Sequence, residues 1–215
     1  MKKLLYIACN SKPEETSASK TVARYFLNEL TSNKGDFEVE ELDLYKMDIP
    51  KLKACYLDGR STLVEGDSFN KLSSEDQENI NKIKLLAEQF KAADFYIIAA
   101  PLWNMKFPGP LGTYLDSVNI NKITLTIHPD KVCGRLDDKD RTAVFVQSSG
   151  GCVTPGKPCS QKNHAALYIQ DLLGFMGIKN YHEILVENTG YTPEEQHTAV
   201  SKGKDSAKEL AKNIS

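Results

Sequence analysis

Asp94-Phe95-Tyr96-Ile97-Ile98-Ala99-Ala100 holds six consecutive apolar or aromatic residues without any polar alternation. A strand with one face in water alternates, so an unbroken run predicts a strand covered on both faces, as in the interior of a parallel sheet. Before it, Ile80, Ile83, Ala87 and Phe90 recur on one helical face behind Ser74-Glu75-Asp76-Gln77, which reads as a capping box. After it, Gly109-Pro110 opens a helix carrying Leu111, Tyr114, Leu115 and Val118. Helix, buried strand and helix in succession suit a parallel sheet, whose neighbouring strands need helical crossovers.

The alternation continues to both ends. Leu4 to Ala8 is a short apolar strand, followed by Val22, Phe26, Leu27 and Leu30 at helical spacing. Phe37 to Leu42 alternates more, as an edge strand does. Residues 46–72 show no clear period. Thr142 to Val146 is the next buried strand; Ile169, Leu172, Leu173 and Met176 then mark a helix that Gly177 can end. Ile178 to Val186 holds the fifth strand. Thr192-Pro193-Glu194-Glu195 is a second capping box ahead of Val200, Gly203, Ala207, Leu210 and Ile214. Five strands alternating with five helices, without internal repeats, predict an α/β fold: a doubly wound five-stranded parallel sheet with helices on both faces. Right-handed crossovers favour the flavodoxin-like order 2-1-3-4-5. The 215 residues suit one domain spanning 1–215.

Composition narrows the partners. With 27 Lys plus Arg against 29 Asp plus Glu, the net charge of −2 offers no surplus to neutralise a nucleic acid or an anionic membrane. No run approaches the length of a membrane span, and Met1-Lys2-Lys3 followed by Leu4 to Cys9 reads as a first strand rather than a signal peptide. The five cysteines contain no C-x-x-C pair, so neither a disulfide framework nor a structural metal site is expected, and a reducing cytoplasm fits. Cys152 and Cys159 share a Gly/Pro loop, as a redox-active pair or as two unpaired thiols.

In doubly wound sheets ligands bind beyond the carboxyl ends of the strands, which singles out loops 9–19, 100–109 and 147–160. The first leads through Asn10, Thr16, Ser17, Ala18 and Ser19 into a helix start, where free N–H groups and hydroxyls suit a phosphate. Capping of the helix by Thr16 or Ser17 is the simpler role for the same residues. No G-x-G-x-x-G or G-K-[ST] occurs. The second loop sets Trp103, Asn104 and Met105 after Pro101 and Leu102, and apolar area beside an amide suits a flat heterocycle with polar edges; Trp103 anchoring the loop in the core is the alternative. The third carries Ser148, Ser149, Gly150 and Gly151, where bare backbone lets a ligand approach or simply makes a turn.

Taken in order, Leu4-Leu5-Tyr6-Ile7, the Asn10 to Ser19 loop, Ala100-Pro101-Leu102-Trp103-Asn104-Met105, Ser148-Ser149-Gly150-Gly151 and Leu173-Gly174-Phe175-Met176-Gly177-Ile178 resemble the FMN-dependent NADH azoreductase family along the whole chain. The resemblance implies flavodoxin-like quinone and azo reductases that use FMN. It implies a phosphate loop at Asn10, Ser17, Ala18 and Ser19, an isoalloxazine loop at Pro101, Leu102, Trp103, Asn104 and Met105, and a turn at Ser148, Ser149, Gly150 and Gly151. Two departures stand out. Ser149 sits where the family commonly has arginine, and Thr124-Leu125-Thr126-Ile127-His128 replaces an aromatic segment lining the substrate side.

Other chemistries fit less well. Strand one ends Ala8-Cys9-Asn10, without the acidic cluster of a phospho-acceptor domain; there is no G-x-S-x-G; and the cysteines are too spread for an iron–sulfur cluster. Of the four histidines, His128 is the candidate nearest the expected pocket. The resulting expectation is an FMN-dependent NAD(P)H oxidoreductase passing hydride to a quinone or azo acceptor by alternating half-reactions, with no protein acid or base required. A flavodoxin-like electron carrier and a cofactor-free binding domain are the alternatives; carriers are usually strongly acidic, unlike this chain. Family members pair to complete their pocket, so a homodimer is expected, with Leu125, Ile127, Tyr56 and Leu57 at the interface or packed within their own chain.

Overall fold

The computed structural model describes residues 1–157 and 162–214, so Cys159 lies outside the described residues. The strands are β1 (Lys2–Ala8), β2 (Phe37–Asp43), β3 (Phe95–Pro101), β4 (Leu125–Ile127), β5 (Val132–Gly134), β6 (Thr142–Ser148) and β7 (Asn180–Val186). The α-helices are α1 (Ala18–Lys34), α2 (Gly66–Asn70), α3 (Ser74–Ala92), α4 (Gly109–Val118), α5 (His164–Met176) and α6 (Pro193–Asn213). Five strands pair in parallel in the order β2-β1-β3-β6-β7, the flavodoxin-like order 2-1-3-4-5 once the small antiparallel β4–β5 hairpin is set aside.

The opening run explains itself here. Every residue of β3 is buried, and successive side chains enter different cores. Ile97 packs with Val22, Phe26 and Leu30 of α1 and Ala207 of α6, whereas Ile98 packs with Leu111 and Leu115 of α4 and Ile169 and Leu173 of α5. Two apolar faces leave no polar position to alternate with. β6 is buried throughout for the same reason, while the edge strand β2 has no fully buried residue.

Residues 46–72 build a third cluster that periodicity could not show. Tyr56, Leu63 and Val64 pack on Ile80, Ile83 and Ala87 of α3 and on Ile120 and Ile123, and the Tyr56 hydroxyl donates to Asp76 at 2.8 Å. This corrects part of the interface expectation. Tyr56 is 0% and Leu125 3% exposed, both inside their own chain's cores, and Leu57 packs against the Tyr56 cluster. The capping residue of α3 also shifts by one: Ser73, with extended backbone, accepts from the Asp76 N–H at 3.2 Å, and Ser74 is already helical. The capping box at Thr192 and Glu195 is present as read, and Gly177 ends α5 at φ 109°.

Far from the ligand end, Arg141 is 3% exposed and donates to the carbonyls of Lys91, Ala93 and Leu136 and to Asp138, closing the end of α3 onto the β5–β6 connection. Among the described residues no helix is long and apolar enough to cross a membrane.

Candidate cofactor cleft

The chain leaves β1 at Ala8, and Cys9 continues toward the loop with its N–H on the Ala99 carbonyl. Burial pushes the Cys9 thiol up to about 12, so it stays protonated and inert. Asn10 fixes the loop that follows: its Oδ1 accepts from the Lys12 N–H at 3.0 Å, and its Nδ2 donates to Ser17 Oγ at 2.8 Å. Ser17 Oγ also accepts the Lys20 N–H at 3.3 Å, which makes Ser17 the N-cap of α1. The simpler capping role is therefore real, and it leaves more to give. With two donors on its oxygen, the Ser17 hydroxyl has its proton left to give, to Ser19 Oγ at 3.4 Å or to a ligand in its place. Helix geometry leaves the N–H groups of Ala18 and Ser19 without intrahelical partners, at the positive end of a 17-residue helix. Ser19 Oγ lies 3.4 Å behind Ser17 Oγ, and Asn10, Ser17 and Ser19 are all buried.

The second loop is a two-residue hairpin. Trp103 and Lys106 exchange backbone bonds at 2.6 and 3.0 Å, with Asn104 at φ 48° and Met105 at φ 66° between them. Two successive left-handed residues make the turn that matches strand twist, usually with Asn followed by Gly. Asn tolerates this conformation; Met holds it at a cost of about 1–2 kcal/mol. That strain presents Trp103 and Met105 outward, 41% and 40% exposed, so Trp103 does not anchor the loop in the core. Leu102 donates to the Ser148 carbonyl at 2.7 Å, holding the hairpin's base against the third loop.

That loop is braced by the segment that follows β7. The Ser149 N–H bonds the Val186 carbonyl, and Thr189, beyond β7, returns N–H and hydroxyl bonds to the Ser149 carbonyl at 3.0 and 3.2 Å. The Ser149 hydroxyl donates to the Gly151 carbonyl at 2.7 Å, closing the glycine turn. Glu187 secures the continuation, accepting the N–H groups of Val153 and Thr154 at 2.6 Å each and the Thr154 hydroxyl at 2.8 Å. Burial alone would raise its carboxyl, but these donors outweigh burial and hold it below its ordinary value. Neither Gly150 nor Gly151 needs a left-handed backbone, and a Cβ at either would meet nothing within 4 Å. The fold does not require glycine at these two positions.

The three loops and the segment after β7 enclose a cleft of about 240 Å³ at the carboxyl ends of the central strands. Asn10, Thr16, Ser17 and Ala18 line one wall, Pro101, Leu102 and Trp103 a second, and Ser148, Ser149 and Gly150 a third. Ser19 sits behind Ser17, Asn104 and Met105 project at the hairpin tip, and Gly151 lies one residue beyond the lining. Lys12, Thr189, Gly190 and Gln196 complete the lining unannounced; the strand-end rule applied to the fifth strand would have found the last three. His128 is exposed at the turn of the β4–β5 hairpin and does not line the cleft. A larger space of about 670 Å³ lies on the other side of the first loop, but its charges already face one another, Arg24 pairing with Glu14 and Glu41 and Lys20 with Asp43.

A family model described as a flavodoxin-like fold matches residues 2–211. An FMN-dependent NADH:quinone oxidoreductase of Clostridium botulinum (strain Eklund 17B / Type B) is 48% identical over 203 residues, 94% of each chain. One of the same name from Ruminiclostridium cellulolyticum is 41% identical over 214 residues, the full length of both. Among solved structures, an FMN-dependent NADH-azoreductase from Bacillus anthracis str. Ames Ancestor, in complex with FMN, superposes with a TM-score of 0.80 at 25% identity, covering 98% of this chain and all of that one. An azoreductase from Bacillus anthracis str. Sterne, at 24% identity and a TM-score of 0.82 over both full chains, shares the fold. The chain belongs to the flavodoxin-like family that includes the FMN-dependent NADH:quinone oxidoreductases.

Proposed function

We propose that this chain holds FMN in the cleft and passes hydride from NADH to a quinone or azo acceptor. The observation that carries the reading is the convergence, across one cleft, of a buried serine pair at the start of α1 with an exposed tryptophan and a glycine whose Cβ would meet open space. The relatives named FMN-dependent NADH:quinone oxidoreductases support it along the length of the chain. When bound, the flavin supplies the hydride chemistry, so the chain's task is binding, orientation and electrostatics.

The residues present fit FMN. The Ser17 hydroxyl and the N–H groups of Ala18 and Ser19 would hold the phosphate, with the helix dipole favouring its negative charge. Pro101, Leu102 and Trp103 offer apolar area to the ring, Asn104 and Met105 extend that wall, and the Asn104 amide suits a polar ring edge. The N–H groups of Gly150 and Gly151 would face negative charge developing on the ring, and no Cβ stands in the way. Ser148 and Ser149 hold that turn rather than touching charge. Where the family commonly has a cation, the Ser149 hydroxyl instead fixes the turn that carries these amides.

One chain covers only part of such a ligand, because 240 Å³ falls below the roughly 300–1,000 Å³ usual for small-molecule sites. Leu167 and Tyr168 of α5 are about half exposed, and the Tyr168 ring lies 5.5 Å from that of Phe107, just past the exposed Trp103 and Met105. We assign this apolar surface to a second copy of the chain, which would close the site as a homodimer. A cytoplasmic setting suits Cys9, Cys55, Cys133 and Cys152, all free thiols.

Steady-state NADH oxidation with a soluble quinone tests the function. Parallel double-reciprocal lines, from alternating use of one site, are expected; flavin uptake without turnover would favour the electron-carrier reading. Light scattering at micromolar concentration tests the pairing: a monomer with full activity would refute the shared site.

A further inference from the structure

Lys20 breaks two local rules at once. It lies in the first turn of α1, where the helix dipole disfavours a cation, and it is 6% exposed although lysine is rarely buried. Its ammonium donates to the Asn10 carbonyl at 3.2 Å, to the Lys12 carbonyl at 3.1 Å and to Asp43 Oδ2 at 3.3 Å. An ammonium has three protons, and here all three are used.

The fold by itself does not need this arrangement. Asp43 has other partners, the Lys46 ammonium at 3.5 Å and the Tyr45 N–H at 3.2 Å. Lys12, which supplies one of the two loop carbonyls, is exposed and lines the wide space beyond the first loop, where water can serve it. What Lys20 adds is a tie from the helix back onto both ends of the Asn10–Lys12 turn and across to the end of β2. The same turn carries the Asn10 amide that aims Ser17 Oγ.

We infer that Lys20 is a positioning residue for phosphate recognition: it sets the Asn10–Ser19 loop in its anion-receiving shape before the ligand arrives, without itself touching the phosphate. Pre-ordering the loop removes part of the ordering cost of binding. The inference rests on the proposed placement of the FMN phosphate at this loop, and riboflavin, which lacks the phosphate, separates the two claims.

Flavin-free wild type, Lys20→Met and Lys20→Arg are titrated with FMN and with riboflavin, and amide hydrogen exchange is measured on the same flavin-free samples. Wild type is expected to prefer FMN strongly. In Lys20→Met the preference should fall at least tenfold with riboflavin affinity within twofold of wild type, and residues 10–19 should exchange faster while β1 and β3 do not. Lys20→Arg should recover most of the preference. If Lys20→Met does not fold, Lys20→Gln, too short to span three acceptors, is read in the same way. A wild type without FMN preference would overturn the phosphate placement and this inference together. An unchanged preference in the variant overturns the role of Lys20 alone, and so does a lost preference without faster exchange, because the effect would then be one of charge and not of position.

Discussion

Gly150→Val separates what the fold needs from what a ligand needs. Gly150 has no left-handed backbone, is exposed, and a Cβ there meets nothing within 4 Å, so three added carbons enter open cleft rather than protein. The change in fold stability should stay within about 0.5 kcal/mol, or roughly 1–2 °C in Tm for a chain of this size. A bound ring over the same backbone would meet those carbons directly. Overpacking of a close contact costs about 1–3 kcal/mol, so FMN affinity should fall by roughly 5- to 150-fold. Flavin fluorescence titration reads the affinity and circular dichroism the Tm. Wild-type affinity in the variant would place the ring elsewhere, and a Tm drop beyond about 5 °C would show that the fold itself relies on this glycine.

Three further outcomes follow from the same geometry. Gly134→Ala should do the opposite of Gly150→Val, because its Cβ would run into the Met176 backbone: thermal melting should show a loss of at least about 1–3 kcal/mol, with FMN affinity kept in the folded fraction. Arg141→Met leaves the carbonyls of Lys91, Ala93 and Leu136 without their donor, and at about 1–3 kcal/mol per unsatisfied group even one orphaned carbonyl should lower Tm by about 2 °C or more. Glu187 has its folded pKa below the ordinary 4.5, so its stabilisation is complete above that pH and fades as pH falls through the lower folded value. The Tm gap between wild type and Glu187→Gln should therefore be constant from pH 5 to 8 and narrow below pH 4.5; a gap independent of pH would remove the carboxylate from the account.

Strands and helices packed on regular faces were legible because each residue of β3 and α1 repeats the geometry of its neighbours. Ile97 and Ile98 declare a two-sided sheet by type alone. The segment 46–72 was opaque because Tyr56, Leu63 and Val64 pack singly from irregular backbone, and no period records that. Loop geometry was legible where residue type limits it, as with Ser17 at the helix cap and the open backbone of Gly150. It was not where the role depends on reach: Lys20 reads as a surface lysine until its three acceptors are seen, and Glu187 as an ordinary carboxylate until two N–H groups close on it. Ser73 and Ser74 show the limit at a helix end, where two neighbours of one type compete for the same cap.

The most direct test is the flavin content of the purified chain. After denaturation, the released chromophore is identified by chromatography and counted against protein, with excess FMN added beforehand to fill empty sites. One FMN per chain, bound far more tightly than riboflavin, is the predicted result. A chain that stays colourless after incubation with FMN, or that takes up riboflavin as readily, would contradict the cleft as a phosphate-anchored flavin site.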